Sequence, residues 1–298
     1  MKYLRVRGIR DRIKSVSSTA KVTRAMELVA ASKMRRAQDR AVQARPYAVT
    51  MRTILAQLAS YTAGGDGGSL HPLLEAREVK HVAYVHITAD RGLAGGLNSN
   101  INRAGAALIL EHQPHVEGIS VVSAGRKGRD FFRRSGMQML ADFPELGDFP
   151  NFEDVRPIAR LIIDEFISGR VDQVFIGYQR FVNAAVQRPT VRQLLPIVAP
   201  SDLSAAAGTS NIDFIFEPSP EELLATLLPR FVEMQVYEAV LEARASEQSA
   251  RMVAMRQATD AAKEMVSDLT LAYNKARQDS ITGELLDIVG GTAAVENK

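Results

Sequence analysis

The chain has 298 residues, 46% of them hydrophobic and 24% charged, which is ample material for one core or two. Its 37 Lys and Arg against 34 Asp and Glu leave a net charge of only +3, too little by itself to argue for a nucleic-acid partner. The absence of cysteine excludes disulfides, thiolate catalysis, zinc–thiolate sites and thiol redox switches together.

Charge is distributed unevenly. Residues 1–52 hold fourteen Lys and Arg against three acids, so the remainder of the chain is net acidic. Met1-Lys-Tyr-Leu-Arg-Val-Arg7 has charge but no apolar run, so no secretory signal is expected, and no stretch of ~18 apolar residues predicts a membrane span. From Leu4 to Ala59 the pattern is helical: Ala30, Met34, Ala37, Ala41, Ala44, Ala48, Met51, Leu55 and Leu58 recur at spacings of 4 and 3. Such a helix would reach roughly 80 Å, with Pro46 expected to kink or restart it. The cations of this helix allow a solvated face, a nucleic-acid stripe or a partner-facing stripe. No aromatic is interleaved between Tyr3 and Tyr47, which disfavours single-stranded nucleic acid, and the unbalanced charge calls for an acidic counterpart, which a second protein could supply. Four glycines between Tyr61 and Ser69 predict a surface loop.

The period then changes. Val82–Thr88, Ile119–Ser123 and Val174–Tyr178 predict short buried strands, separated by helices near Ile101–Glu111, Lys127–Arg134 and Phe152–Ser168, with Gln187–Ile197 a further strand. This alternation predicts a parallel, doubly wound, Rossmann-like α/β domain. Thr88-Ala-Asp-Arg-Gly-Leu-Ala-Gly-Gly-Leu-Asn-Ser-Asn100 stands where a phosphate-binding turn belongs, but Gly92, Gly95 and Gly96 do not make G-x-G-x-x-G, and no G-x-x-x-x-G-K-[ST] occurs. Turn chemistry between a strand and a helix is the stronger reading, and no hydrolytic activity is expected. His112 and His115 flank Pro114, which rules out an i, i+3 helical ligand pair, and His86 reads as a core residue. Asp164/Glu165 and Glu221/Glu222 read as solvated faces and helix caps.

Glu217-Pro-Ser-Pro220 closes this domain, with Ser219 as N-cap and Pro220 as first helical residue. The chain is then helical to about Val289, with an interruption expected at Pro229. Met252, Met255, Thr259, Ala262, Val266, Leu269, Tyr273 and Ala276 alternate spacings of 3 and 4, a coiled-coil heptad. Two such helices at opposite ends of one chain should meet as an antiparallel pair. The expected organisation is an N-terminal coiled-coil helix over 1–59, a loop over 60–77, an α/β domain over 78–217 and a C-terminal coiled-coil helix over 218–298.

Longer motifs carry more than periodicity. Arg10-Asp-Arg-Ile-Lys-Ser-Val16, Thr19–Gln38, Asp90-Arg-Gly-Leu-Ala-Gly-Gly-Leu-Asn-Ser-Asn100, Ala250–Asp260 and Leu271–Gln278 closely resemble the gamma subunit family of F-type ATP synthases, over essentially the whole chain and in the right order. The tail Ile281–Ala294 resembles the family's C-terminal signature, with Thr292 where Ala is usual, Gly283 where a longer side chain is common, and Ala94 in place of a frequent Cys. The resemblance implies a central rotor shaft without catalytic, cofactor or metal residues of its own, peripheral on the cytoplasmic face of a bacterial cell membrane. It implies as partners the alpha and beta subunits of the catalytic hexamer, the epsilon subunit and the membrane c-ring, with no nucleic acid and no small-molecule substrate. It places Met26 and Lys33 against the acidic lever segment of a beta subunit, and Arg277, Gln278, Thr282 and Glu284 against its catch loop. A coiled-coil scaffold or adaptor without a rotary role is the alternative.

Overall fold

A computed structural model describes residues 2–63, 71–197 and 219–296. Helix α1 (Lys2–Ala63) is followed by a single 3-10 turn (Pro72–Leu74) and then by β1 (His81–Ile87), α2 (Leu97–His112), β2 (Gly118–Ala124), α3 (Arg126–Arg134), β3 (Gln138–Phe143), α4 (Phe152–Ile167), β4 (Gln173–Phe181), β5 (Gln187–Leu195) and α5 (Pro220–Glu296). The expected α/β class with long terminal helices is what the chain adopts. Both helices run through their prolines: α1 does not restart at Pro46, and α5 is one helix across Pro229, where an interruption was expected. Proline removes one donor and crowds one carbonyl, at a cost of about 3 kcal/mol, which packing on both sides of it can outweigh. The predicted cap at the start of α5 is present: Glu222 N–H donates to Ser219 Oγ at 3.2 Å. The glycine loop beyond Ala63, the turn at Glu217–Pro218 and the side chains of Ala44 and Ala48 lie outside the described residues.

The chain divides into two compact units, residues 31–251 and residues 1–30 with 252–298. In the larger unit the sheet order is β3-β2-β1-β4-β5. β1, β2 and β4 are parallel, as expected, and so is β3, but β5 pairs antiparallel with β4, because a short hairpin cannot return a parallel strand. Strand β3, Gln138-Met-Leu-Ala-Asp-Phe143, was not anticipated: it is an edge strand with no continuous apolar run. One sheet face is covered by α4 and by segments of α1 and α5, burying Met51, Leu55, Leu58, Val85, Val122, Ile162, Phe166, Ile176, Leu228, Val232 and Val236. The other is covered by α2 and α3 around Tyr84, Ile109, Val121 and Phe132.

The smaller unit is a pair of helical segments. On α5 every heptad position from Met252 to Ala276 is buried or half-buried, and Ser280 and Gly283 continue the same phase. On α1 the matching seam starts earlier than the apolar stripe in the sequence: Val6, Ile9, Ile13, Val16, Ala20, Thr23, Glu27 and Ala30 are the sheltered positions. Thr23 and Glu27 hid it, since a polar residue in the seam breaks the hydrophobic pattern without breaking the geometry. Thr23 Oγ1 meets Thr259 Oγ1 at 2.7 Å. In the larger unit Lys33 on α1 and Gln248 on α5 converge on Asp148.

Candidate functional site

The side chains singled out in the sequence fall in both units. In the smaller one Met26 is 39% exposed, and Arg277, Gln278, Thr282 and Glu284 are all on the outer surface of α5. Their positions follow from the heptad: Ala276, Ser280 and Gly283 face the seam, so the residues one or two places away face out. Met26 is therefore not seam packing. Glu284 accepts a 3.3 Å hydrogen bond from Ser280 Oγ, whereas Arg277 and Gln278 meet no polar partner among the described residues. Large apolar side chains share this outer surface. Val22, Leu28 and Val29 on α1 and Ile281, Leu285, Leu286, Ile288 and Val289 on α5 are each at least half exposed.

Lys33 belongs to the larger unit and already has a partner within the chain. Its Nζ donates to Asp148 Oδ2 at 2.6 Å. Burial would push the Asp148 carboxyl up, but the Lys33 bond and charge, with Arg91 and Arg244 nearby, hold it below the usual carboxylate range. Gln248 Nε2 donates to the other oxygen of the same carboxylate at 3.3 Å.

The carboxyl ends of the parallel strands are where an open α/β sheet binds ligands, at the point where strand order reverses. Here that point lies between β1 and β4, and a segment of α5 is packed there. Arg244 Nη2 reaches Asp90 Oδ2 at 3.4 Å after β1, Arg251 Nη2 donates to Gly92 O at 3.2 Å, and Ser246 Oγ donates to Gln179 O near the end of β4 at 2.9 Å. Gln179 Nε2 in turn donates to Leu97 O at 2.7 Å, at the start of α2. The glycine-containing loop is thus engaged by protein. Thr88 Oγ1 accepts from Gly128 N–H and Asp90 Oδ1 from Arg126 N–H, so two donors at the N-terminus of α3 are satisfied by side chains of the β1 loop. Leu93 in that loop has φ +62°, a left-handed conformation that costs a leucine of order 1–2 kcal/mol, and its side chain is 60% exposed.

The histidines are part of the packing. His112 bonds through Nδ1 to Leu108 O at 3.0 Å and sits edge-on to Phe175. His86 is fully buried; its Nε2–H donates to Asn102 Oδ1 at 2.8 Å, and its Nδ1 accepts from the Tyr84 hydroxyl at 3.0 Å. Burial lowers its pKa to about 4, with the Asn102 bond opposing, so the ring is neutral at physiological pH. A cavity of about 540 Å³ opens beside Arg40, Tyr47, Phe152 and Arg230, but Arg40 donates to Phe149 O and Arg230 pairs with Glu233. No described helix is long and apolar enough to cross a membrane.

These features define a class: a coiled coil whose two helices enclose, in sequence, a Rossmann-like domain, and whose ligand crevice is filled by one of those helices. Comparison with known proteins narrows it. Residues 5–295 match the family profile described as ATP synthase. The ATP synthase gamma chain of Dehalococcoides mccartyi strain 195 is 54% identical over 290 residues, 97% of this chain and 99% of its own length. That of Roseiflexus castenholzii is 49% identical over 97% of this chain and 98% of its own. Among solved structures, a chain of the Tetrahymena thermophila mitochondrial ATP synthase central stalk and c-ring aligns with a TM-score of 0.61 and 27% identity, covering 80% of this chain and 99% of that one. The chain belongs to the ATP synthase gamma chain family.

Proposed function

We propose that this chain is the central stalk subunit of a proton-translocating F-type ATP synthase, turned by a membrane c-ring and transmitting that rotation to catalytic beta subunits for ATP synthesis, with an influence on ATPase activity in the reverse direction. The observation that carries this reading is the outer surface of the helix pair. A pair of long helices that has satisfied its own seam, yet presents Val22, Met26, Leu28, Val29 and five apolar residues between Ile281 and Val289, is built to be enclosed by other chains. A single asymmetric helix pair inside a ring of three alpha and three beta subunits touches each catalytic site differently. Contacts that differ between conformations shift their equilibrium by the differential free energy, so turning the pair exchanges the affinities of the sites.

In this reading residues 1–59 and 218–298 are the shaft, 60–77 a connecting loop, and 78–217 the α/β foot that meets the epsilon subunit and the c-ring. The chain contributes no catalytic residue, metal or cofactor. Arg277, Gln278, Thr282 and Glu284 meet the beta-subunit catch loop, and Met26 and Lys33 face its acidic lever, with Lys33 exchanging Asp148 for the lever or bridging the two. The subunit lies peripherally on the cytoplasmic face of the cell membrane. Tagged chain expressed in its native host should bring down alpha and beta ATPase subunits with rotary ATPase activity. Recovery of the chain alone, or with unrelated partners, refutes the assignment and favours a scaffold.

A further inference from the structure

Helices buried on every side are normally apolar. Helix α5 violates this over two turns: residues 243 to 249, Ala-Arg-Ala-Ser-Glu-Gln-Ser, are all buried, none more than 8% exposed. Five of the seven are polar, and burying them is costly unless each finds a partner. Where the partners stand gives the segment its meaning. With about 100° per residue, Ser246 and Ser249 project about 200° and 140° from Arg244, whereas Gln248 and Arg251 lie within about 40° of it.

Two groups of domain contacts therefore grip the helix from opposite sides. On one side Asp90 receives Arg244, Gly92 O receives Arg251, and Asp148 receives Gln248. On the other, Gln179 O receives Ser246 and Ala184 O receives Ser249 at 2.6 Å, and Ser249 Oγ accepts from Gln187 Nε2 at 3.3 Å. The jaws are themselves fixed. Asp90 Oδ1 accepts from Arg126 and Glu145 N–H, and the second jaw is the β4–β5 hairpin.

We infer that this collar is a rotational key: it fixes the angle of α5 about its own axis within the α/β domain, and so positions the shaft for coupling. A smooth apolar socket holds a helix in place but resists its rotation weakly, because hydrophobic attraction has no direction. Hydrogen bonds are directional, and two sets on opposite sides form a couple that opposes twist. The inference rests on the rotor assignment above, since only a chain that carries torque needs such a key.

The test uses the assembled ATP synthase. This chain has no cysteine, so in a complex whose other subunits have had their cysteines replaced, Arg188→Cys on β5 attaches a bead to the α/β domain while the catalytic head is immobilised. Ser246→Ala with Ser249→Ala removes one jaw using the best helix former. The variance of the dwell angles should rise about twofold, because about half the directional contacts opposing twist are lost, and protons pumped per ATP should fall. Arg251→Gln, which loosens the opposite jaw, should broaden the angles in the same sense and serves if the double variant fails to assemble. Leu228→Ala, a core change on the same helix away from the collar, should lower the melting temperature without broadening them. Unchanged angular widths in both collar variants, or equal broadening in Leu228→Ala, overturn the key. A parent chain that assembles with no ATPase and carries no bead round overturns the rotor assignment first, and the key with it.

Discussion

The most quantitative consequence of the fold concerns His86. In an unfolded chain an imidazole takes up a proton below about pH 6.5. In the folded chain, wedged between Tyr84, Phe132 and Asn102 and fully buried, it does so only below about 4. Between those values the unfolded state binds more protons, so stability falls as pH falls. The loss from this one group is about 2 kcal/mol at pH 5 and about 3 kcal/mol at pH 4, relative to pH 7.5, where it contributes nothing. Carboxylates titrate over part of the same window, so the parent must be compared with His86→Gln, which keeps a donor and an acceptor but no titration. Denaturant unfolding at pH 7.5 and pH 5, followed by tyrosine fluorescence in a chain without tryptophan, should give a pH-dependent loss about 2 kcal/mol larger in the parent. NMR titration of the ring in the folded chain supplies the direct check. Equal losses in the two proteins, or a folded-state ring that titrates near 6.5, would refute the argument.

The same core predicts that Gly177→Ala is poorly tolerated. The new methyl would stand 1.9 Å from the Tyr84 hydroxyl, which is confined on a second side by Gly105, so destabilisation should reach the top of the about 1–3 kcal/mol range for overpacking, read as a fall in melting temperature. In the seam, a double-mutant cycle of Thr23→Val and Thr259→Val should return a coupling of about 1 kcal/mol for the 2.7 Å hydroxyl pair, and a coupling of zero would mean that the two hydroxyls act independently. Arg277→Ala with Gln278→Ala, both on the outer surface, should leave the isolated chain's stability within about 0.5 kcal/mol of the parent. In the assembled complex the same pair should slow ATP turnover tenfold or more, as loss of a charge-assisted bond worth about 1.5–3 kcal/mol would.

Much of this was legible in the residues. The 3-and-4 spacing from Met252 to Ala276 is a local property of one helix and needs no knowledge of its partner, and the runs in β1, β2 and β4 are continuous because strands covered on both faces are apolar throughout. The long motifs around Arg10–Gln38, Asp90–Asn100 and Ala250–Gln278 identified the family for the same reason: they are contiguous. Tertiary structure alone decided the rest. It carried α1 and α5 through Pro46 and Pro229, because packing on distant residues outweighs a local penalty, and it placed Thr23 and Glu27 in a seam that their polarity conceals. It turned β5 antiparallel and added β3 at the edge, where half the burial means half the apolar signal. Above all, it buried Arg244-Ala-Ser-Glu-Gln-Ser249, a stretch whose composition reads as solvated helix surface. Sequence pattern reports whether a face is apolar. Whether a polar face meets water or a matching set of donors and acceptors depends on groups more than sixty residues away, at Asp90, Asp148, Gln179 and Ala184, and only the folded chain brings them there.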